Sequence, residues 1–379
     1  MGVFEESVAT FLGPIKKYLE DDSISEVMIN GPQEVFIERG GLLEKVGDAQ
    51  FKDDQALQAA VRNIAQFVGR RVDEENPILD ARLPDGSRVA AVIPPCSRKG
   101  TTLSIRKFQK GVPTFVDLIQ KGTLTKEAAR FLDICVFIGK NMIISGGTGS
   151  GKTTLLNVVG GRIPNNQRLL IIEDSSELKI HTDHIVNFET KAADAMGKGQ
   201  ITMRELMKAA LRLRPDRIVL GEVRGVEAFD LVTAMNTGHN GSMGTVHANT
   251  PYDALVRLET LSMMSDIQVP VTAIRRQISA AINLVVQIKR MPDGTRKLSH
   301  IAEVYPELDE RDRYVIRTIF KFIQRGRSPE GKVIGELIPT GYIPSFMGEI
   351  EVNQLPYTRA QFAPPAWYTQ AVQKARDAA

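Results

Sequence analysis

The chain has 379 residues, 42% hydrophobic and 25% charged, which excludes a disordered or collagenous protein and suggests two globular domains. Its 48 basic and 45 acidic residues leave a net charge of +3, too even a balance to argue for nucleic acid or an anionic membrane as partner. Cys96 and Cys135 form no metal-type spacing and suggest a reducing compartment.

Residues 1–7 lack the basic region and apolar core of a signal peptide, and Glu6 breaks the myristoylation pattern. No apolar run is long enough to span a bilayer, so a cytoplasmic protein is expected, one that docks on a membrane protein. Val27–Asn30 and Glu34–Glu38 read as strands around the turn Gly31-Pro32, and Arg39-Gly40-Gly41 leads into Leu42–Val46. Asp53–Val68 has helical spacing, with Leu57, Ala60, Val61, Ile64 and Val68 on one face. Ile78-Leu79, Arg88–Ile93 and Thr101–Arg106 are further strands, and Lys107–Pro113 reads as a linker broken by Gly111 and Pro113.

The second half alternates strand and helix, the signature of a parallel sheet. Strands are expected at Met142–Ser145, Leu169–Glu173, Arg217–Leu220 and Gly244–His247, each except the last followed by a helical pattern. Between the first of these and an apolar helix runs Gly146-Gly147-Thr148-Gly149-Ser150-Gly151-Lys152-Thr153-Thr154. Strand, glycine-rich loop, helix is the context that makes G-x-x-x-x-G-K-[ST] a phosphate loop. Its backbone N–H groups and the helix N-terminus form an anion site, Lys152 reaches the β- and γ-phosphates, and the Thr153 hydroxyl ligates Mg²⁺. A nucleoside triphosphate is therefore the expected ligand.

Two other strands end in acids. Arg217–Leu220 leads to Gly221-Glu222, and many phosphate-loop ATPases carry Asp-Glu there, so Glu222 is the lone acid on its strand. Leu169–Ile172 ends in Glu173-Asp174, whose carboxylates are expected on the same sheet edge to share Mg²⁺ coordination and water activation. Glu177 reads as a helix-start acid. His247, at the end of the Gly244–His247 strand, is either a structural histidine or a sensor of the γ-phosphate. Met203–Arg214 reads as an amphipathic helix whose Arg204, Lys208 and Arg212 form either a solvated face or a source of an arginine for a neighbouring subunit. Beyond residue 290 the strand-like segments His300–Val304, Tyr314–Phe322 and Lys332–Ile338 suggest a short antiparallel appendix, and a terminal helix is expected near Thr369–Ala379.

The order of these boxes resembles the type II/type IV secretion-system ATPases: Gly146–Thr153, Ile171–Asp174, Leu220–Gly225, then Thr237–Asn249. Leu211–Gly225 and Thr237–Pro251 are most similar to the tight-adherence (Tad/Flp) pilus assembly ATPases, as are Leu83–Val89 and Leu103–Phe108 in the first half. The resemblance implies an α/β fold with a RecA-like, mainly parallel core, a smaller N-terminal α/β domain and an antiparallel C-terminal appendix. The boundaries expected are 1–106, a linker at 107–118, the ATPase domain at 119–345 and a tail at 346–379. It also implies a Mg²⁺-dependent ATPase in a homohexameric ring, acting on a polytopic inner-membrane platform protein and peripherally attached to that membrane. By match, Glu222 is the catalytic carboxylate and joins Thr153 at Mg²⁺. Glu173 is the acidic-box residue, His247 the histidine-box residue and Arg106 an N-domain arginine for the phosphates. Arg88 is a second such arginine, and Arg212 and Arg214 are candidates for contacts across subunits. Secretin-pathway and extension-type relatives carry a four-cysteine zinc site, which two cysteines cannot build. Two other functions compete: a nucleotide-dependent structural subunit that scarcely hydrolyses, suggested by Gly221, and a nucleic-acid ring translocase, against which the even charge counts.

Overall fold

The computed structural model describes residues 11–83, 85–108, 111, 113–193, 197–265 and 269–377. The segment searched for targeting signals, and part of the linker expected at Lys107–Pro113, lie outside these residues. The chain forms two compact units, Met1–Gly111 with Ala195–Lys198 and Val112–Asp194 with Gly199–Ala379.

The first unit is an antiparallel sheet backed by helix Asp54–Phe67, with Ile15 and Tyr18 of the short helical segment 13–20 in the same core. Its strands are β1 (Ile24–Asn30), β2 (Val35–Arg39), β3 (Leu42–Val46), β4 (Ile78–Arg82), β5 (Arg88–Val92) and β6 (Thr102–Arg106). They lie in the order β3-β2-β1-β6-β5-β4. Alternate side chains point inward, so Val27, Ile29, Val35, Ile37, Leu103 and Ile105 are buried. Helix Asp54–Phe67 covers them with Leu57, Ala60, Val61 and Ile64, the face its 3.6-residue period sets aside. Asp53 caps that helix by accepting the Ala56 N–H at 2.8 Å.

The second unit is built on a nine-stranded mixed sheet. Its strands are β7 (Met142–Ser145), β8 (Leu169–Glu173), β9 (Ile185–Glu189), β10 (Arg217–Leu220) and β11 (Met243–Val246), then β12 (Leu284–Arg290), β13 (Arg296–Leu308), β14 (Tyr314–Arg327) and β15 (Val333–Pro339). The order is β15-β14-β13-β12-β7-β11-β10-β8-β9, parallel from β12 to β9 and antiparallel from β12 to β15. The central strands are buried on both faces, as parallel strands under helices are. Ile144, Ile171 and Val219 face one core, which holds helices Lys126–Phe137 and Lys152–Gly160. Ile143, Ile172, Ile218 and Leu220 face the other, under Met203–Ala210, Glu227–Asn236, Pro251–Met263 and Val271–Ala281. The first core also takes in Phe346, Met347, Ile350, Tyr357 and Phe362, well beyond the last strand. Phe131 stands among their rings, 5.7 Å from Tyr357 and 5.6 Å from Phe362 between centroids.

Several expectations need correction. Strand β8 is followed by β9 before any helix, whereas β11 is followed by helix Pro251–Met263. Strand β12 has no sequence signal of its own because Leu284–Ile288 runs straight on from the apolar end of helix Val271–Ala281, separated from it only by Ile282 and Asn283. Through β12 the strands expected as an antiparallel appendix join the central sheet. The Met203 helix ends at Ala210 and continues as a 3₁₀ turn to Leu213. Arg214 then turns left-handed at φ 53° ahead of Pro215, a residue that disfavours helix before it. Glu177 starts no helix and lies in the loop after β8.

Candidate functional site

The loop after β7 is shaped by its glycines. Gly149 and Gly151 take φ values of 66° and 96°, a region open to glycine at little cost. Gly151 is the N-cap of helix Lys152–Gly160, so the helix's first N–H groups and its dipole face the loop. Ser150 Oγ donates to the Gly147 carbonyl at 2.8 Å, and Lys152 Nζ donates to the same oxygen at 3.1 Å. Thr153 and Thr154 lie in the first turn of that helix. This is an anion cradle with a buried ammonium at its centre.

The neighbouring strand ends supply the rest. Val246, the last residue of β11, is level with Ser145, the last residue of β7, so His247 emerges beside the loop. The strand stops one residue short of the expected His247. Its Nε2 lies 3.3 Å from Lys152 Nζ and 2.7 Å from Glu222 Oε1. The segment that carries Glu222 is tied to β11 by two bonds: Val223 N–H donates to the Thr245 carbonyl at 2.8 Å, and Thr245 Oγ1 donates to the Gly221 carbonyl at 2.7 Å. On its other side Glu222 accepts from Arg224 Nη2 at 2.6 Å, and Arg224 Nη1 reaches Asp174 at 3.4 Å. A chain of polar groups therefore runs Lys152, His247, Glu222, Arg224, Asp174 along the carboxyl edge of the parallel strands.

The electrostatics follow from that chain. Partial burial pushes the Glu222 carboxyl up, but the Arg224 hydrogen bond and charge, with His247 and Lys152, hold it below its ordinary value. Burial and the Lys152 charge lower the His247 pKa, against the pull of Glu222, so the ring is neutral near pH 7. Glu173 differs. Burial raises its pKa to about 7, and Oε1 accepts the backbone N–H groups of Glu177 and Leu178 at 2.9 and 3.0 Å. It ties down the loop after β8. Gly221 is explained by the same side chain: a Cβ at 221 would lie 2.8 Å from Glu173 Cγ.

The remaining expected residues lie elsewhere. Arg88 and Arg106 are cross-strand partners on β5 and β6 of the first unit, with Arg82 and Glu26 in line on either side. These side chains share the sheet face opposite the core, since their neighbours Val89 and Ile105 are buried. Arg212 and Arg214 are exposed just ahead of the start of β10, whereas Glu222 follows its end. The residue that sequence reasoning passed over is Arg224. Its position two after Glu222 in Glu-Val-Arg was the available signal, because an extended backbone puts both side chains on one side.

A family model described as type II/IV secretion system protein matches residues 9–313 of the chain. A protein of Mycobacterium tuberculosis (strain H37Rv) named putative conjugal transfer protein Rv3659c is 34% identical over 299 residues, 77% of this chain and 84% of that one. The type IV secretion system protein VirB11 of Brucella suis biovar 1 is 32% identical over 327 residues, 79% of this chain and 90% of that one. Among solved structures, the ATPase DotB of Yersinia pseudotuberculosis superposes with a TM-score of 0.54 at 17% identity, covering 80% of this chain and 81% of that one. At that identity the likeness is one of fold.

Proposed function

The chain belongs to the type II/IV secretion system protein family and is an ATP hydrolase of that family, and on this premise we propose that it is a Mg²⁺-dependent motor for assembling a tight-adherence type IV pilus. The observation that carries the catalytic part is the chain Lys152, His247, Glu222, with Glu222 held ionised beside the phosphate loop. In this reading the loop N–H groups and Lys152 bind the β- and γ-phosphates. Glu222 accepts the proton of the attacking water, and Arg224, hydrogen-bonded to its other oxygen, fixes the orientation of that carboxylate. The Thr153 hydroxyl and Glu222 carboxylate are hard oxygen donors of the kind Mg²⁺ takes together with phosphates and water; they would hold the ion, which when bound would neutralise phosphate charge. Arg224 favours the charged form of Glu222 from the far side and is itself paired with Asp174. Glu173 supports the loop after β8 by accepting its Glu177 and Leu178 N–H groups.

In the same reading the chain works as a homohexameric ring whose N-terminal units, through Arg106 and Arg88, respond to the phosphates and push on a polytopic inner-membrane platform protein. The pilus assignment rests on the segments Leu211–Gly225 and Thr237–Pro251. A second reading, a motor for conjugal transfer or type IV secretion, is favoured by the names of the two relatives. The weakly hydrolysing alternative loses its motive, because Gly221 has a steric reason in Glu173. Deleting the gene and scoring surface pilin against secreted or transferred substrate separates the two motor readings. Loss of pili alone supports the first, and loss of transfer with pili intact supports the second.

A further inference from the structure

The hairpin between β12 and β13 meets the phosphate loop on the side away from β11. Gln287 of β12 is level with Ser145, so Ile288–Arg290 run on beyond the end of β7 and lie alongside the loop. They pack closely: a Cβ on Gly146 would come 2.3 Å from the Ile288 carbonyl oxygen. One on Gly149 would come 3.2 Å from Arg290 Nη1, and one on Gly151 3.2 Å from Arg296 Cδ. Arg290 and Arg296 face each other across the hairpin, whose turn is closed by Met291 N–H donating to the Thr295 carbonyl at 2.7 Å. Asp293 in that turn accepts from Val333 N–H at 2.6 Å, which ties the hairpin to β15. Arg296 Nε–H donates to the Gly149 carbonyl at 3.1 Å.

We propose that Arg296 is a positioning residue for nucleotide binding, holding the phosphate loop in its anion-binding shape from behind. The inference rests on the nucleotide reading above. The Gly149 carbonyl and the Ser150 N–H belong to one planar trans peptide and point in opposite directions. Drawing the carbonyl toward Arg296 therefore aims the Ser150 N–H at the opposite side of the loop. That N–H donates to the Gly147 carbonyl at 3.4 Å, and Lys152 Nζ donates to the same oxygen at 3.1 Å. Two donors thus converge on the Gly147 carbonyl oxygen, and a phosphate oxygen would compete with that carbonyl for both. A hydrogen bond from a charged donor is the strong kind, well suited to fixing a peptide flanked by Gly149 and Gly151 in left-handed conformations. Arg290 packs against Gly149 from the facing strand and narrows the same side.

The test uses the full chain as wild type, Arg296→Ala and Arg296→Lys. Hydrogen exchange by mass spectrometry over a peptide spanning 146–152, without nucleotide, reads the loop directly. Fluorescent ADP titration and steady-state kinetics read its consequence. Arg296→Ala is expected to speed exchange in that peptide, weaken ADP by about tenfold and raise KM similarly, with kcat within about twofold. Arg296→Lys, a single donor without the planar fork, should fall between. Unchanged exchange and ADP affinity in a folded Arg296→Ala protein would overturn the proposal. So would a loss confined to kcat, which would make Arg296 a group acting on the transition state. If the alanine variant does not fold, wild-type exchange and affinity in Arg296→Lys would overturn it. Failure of the wild type itself to bind ADP would refute the nucleotide reading instead.

Discussion

Gly221 and Glu173 show how one contact changes the reading of a motif. In the sequence Gly221 stands where an acid is expected and suggests a weakened enzyme. In the fold it makes room for the buried Glu173 side chain, and no periodicity in the sequence announces a contact between two strand ends. Gly221→Ala is expected to destabilise the protein by about 1–3 kcal/mol through overpacking, measured by chemical denaturation, and Glu173→Ala in the same chain should restore most of it. Full stability in the single variant would remove the steric explanation. Glu173 also carries a pH signature. Its folded-state pKa is raised from 4.5 to about 7, so the folded protein holds that proton more tightly than the unfolded chain. The stability this gives is present below pH 4.5 and is lost as pH rises to about 7, a swing of about 3 kcal/mol. Glu173→Gln should flatten that part of the stability–pH curve, and an unchanged difference between the two proteins across the window would contradict the assignment.

At the scale of elements, the parts with strong local signals were legible. The 3.6-residue stripe of Asp54–Phe67, the apolar strands β7, β8 and β10, and the glycine loop between β7 and its helix all stand where periodicity and composition put them. The elements missed have weaker signals. Strand β9 is an edge strand with no fully buried position, and β12 merges with the helix before it. The segment from Phe346 to Phe362 lacks a repeat, yet its aromatic side chains complete the core around Phe131, because rings in irregular chain are positioned by tertiary packing alone. Phe362 is 1% exposed, so Phe362→Ala should lower stability by about 3–5 kcal/mol. A change below about 1 kcal/mol, measured by chemical denaturation, would mean that this segment is dispensable to the core.

At the scale of the molecule, the candidate site was legible in its residue types and only partly in its connections. The phosphate loop, Glu222 and His247 were readable from motif and strand ends. Their linkage through Arg224 to Asp174, and the hold of the buried Glu173 on the loop after β8, depend on how parallel strands align at one sheet edge. The pair Arg88 and Arg106, on the first unit's sheet face opposite its core, is the proposed route by which that unit senses phosphate. Arg106→Ala should therefore cut ATP turnover by about tenfold or more with thermal stability unchanged, and full turnover would leave the first unit without a part in hydrolysis. The central claim is that Glu222, ionised beside Lys152 and His247, activates water for ATP hydrolysis. Its most direct test is the ATP turnover of Glu222→Gln, measured with ATP affinity on the same preparation. Turnover is expected to fall by at least about a hundredfold with ATP still bound, and wild-type turnover in that variant would contradict water activation by Glu222.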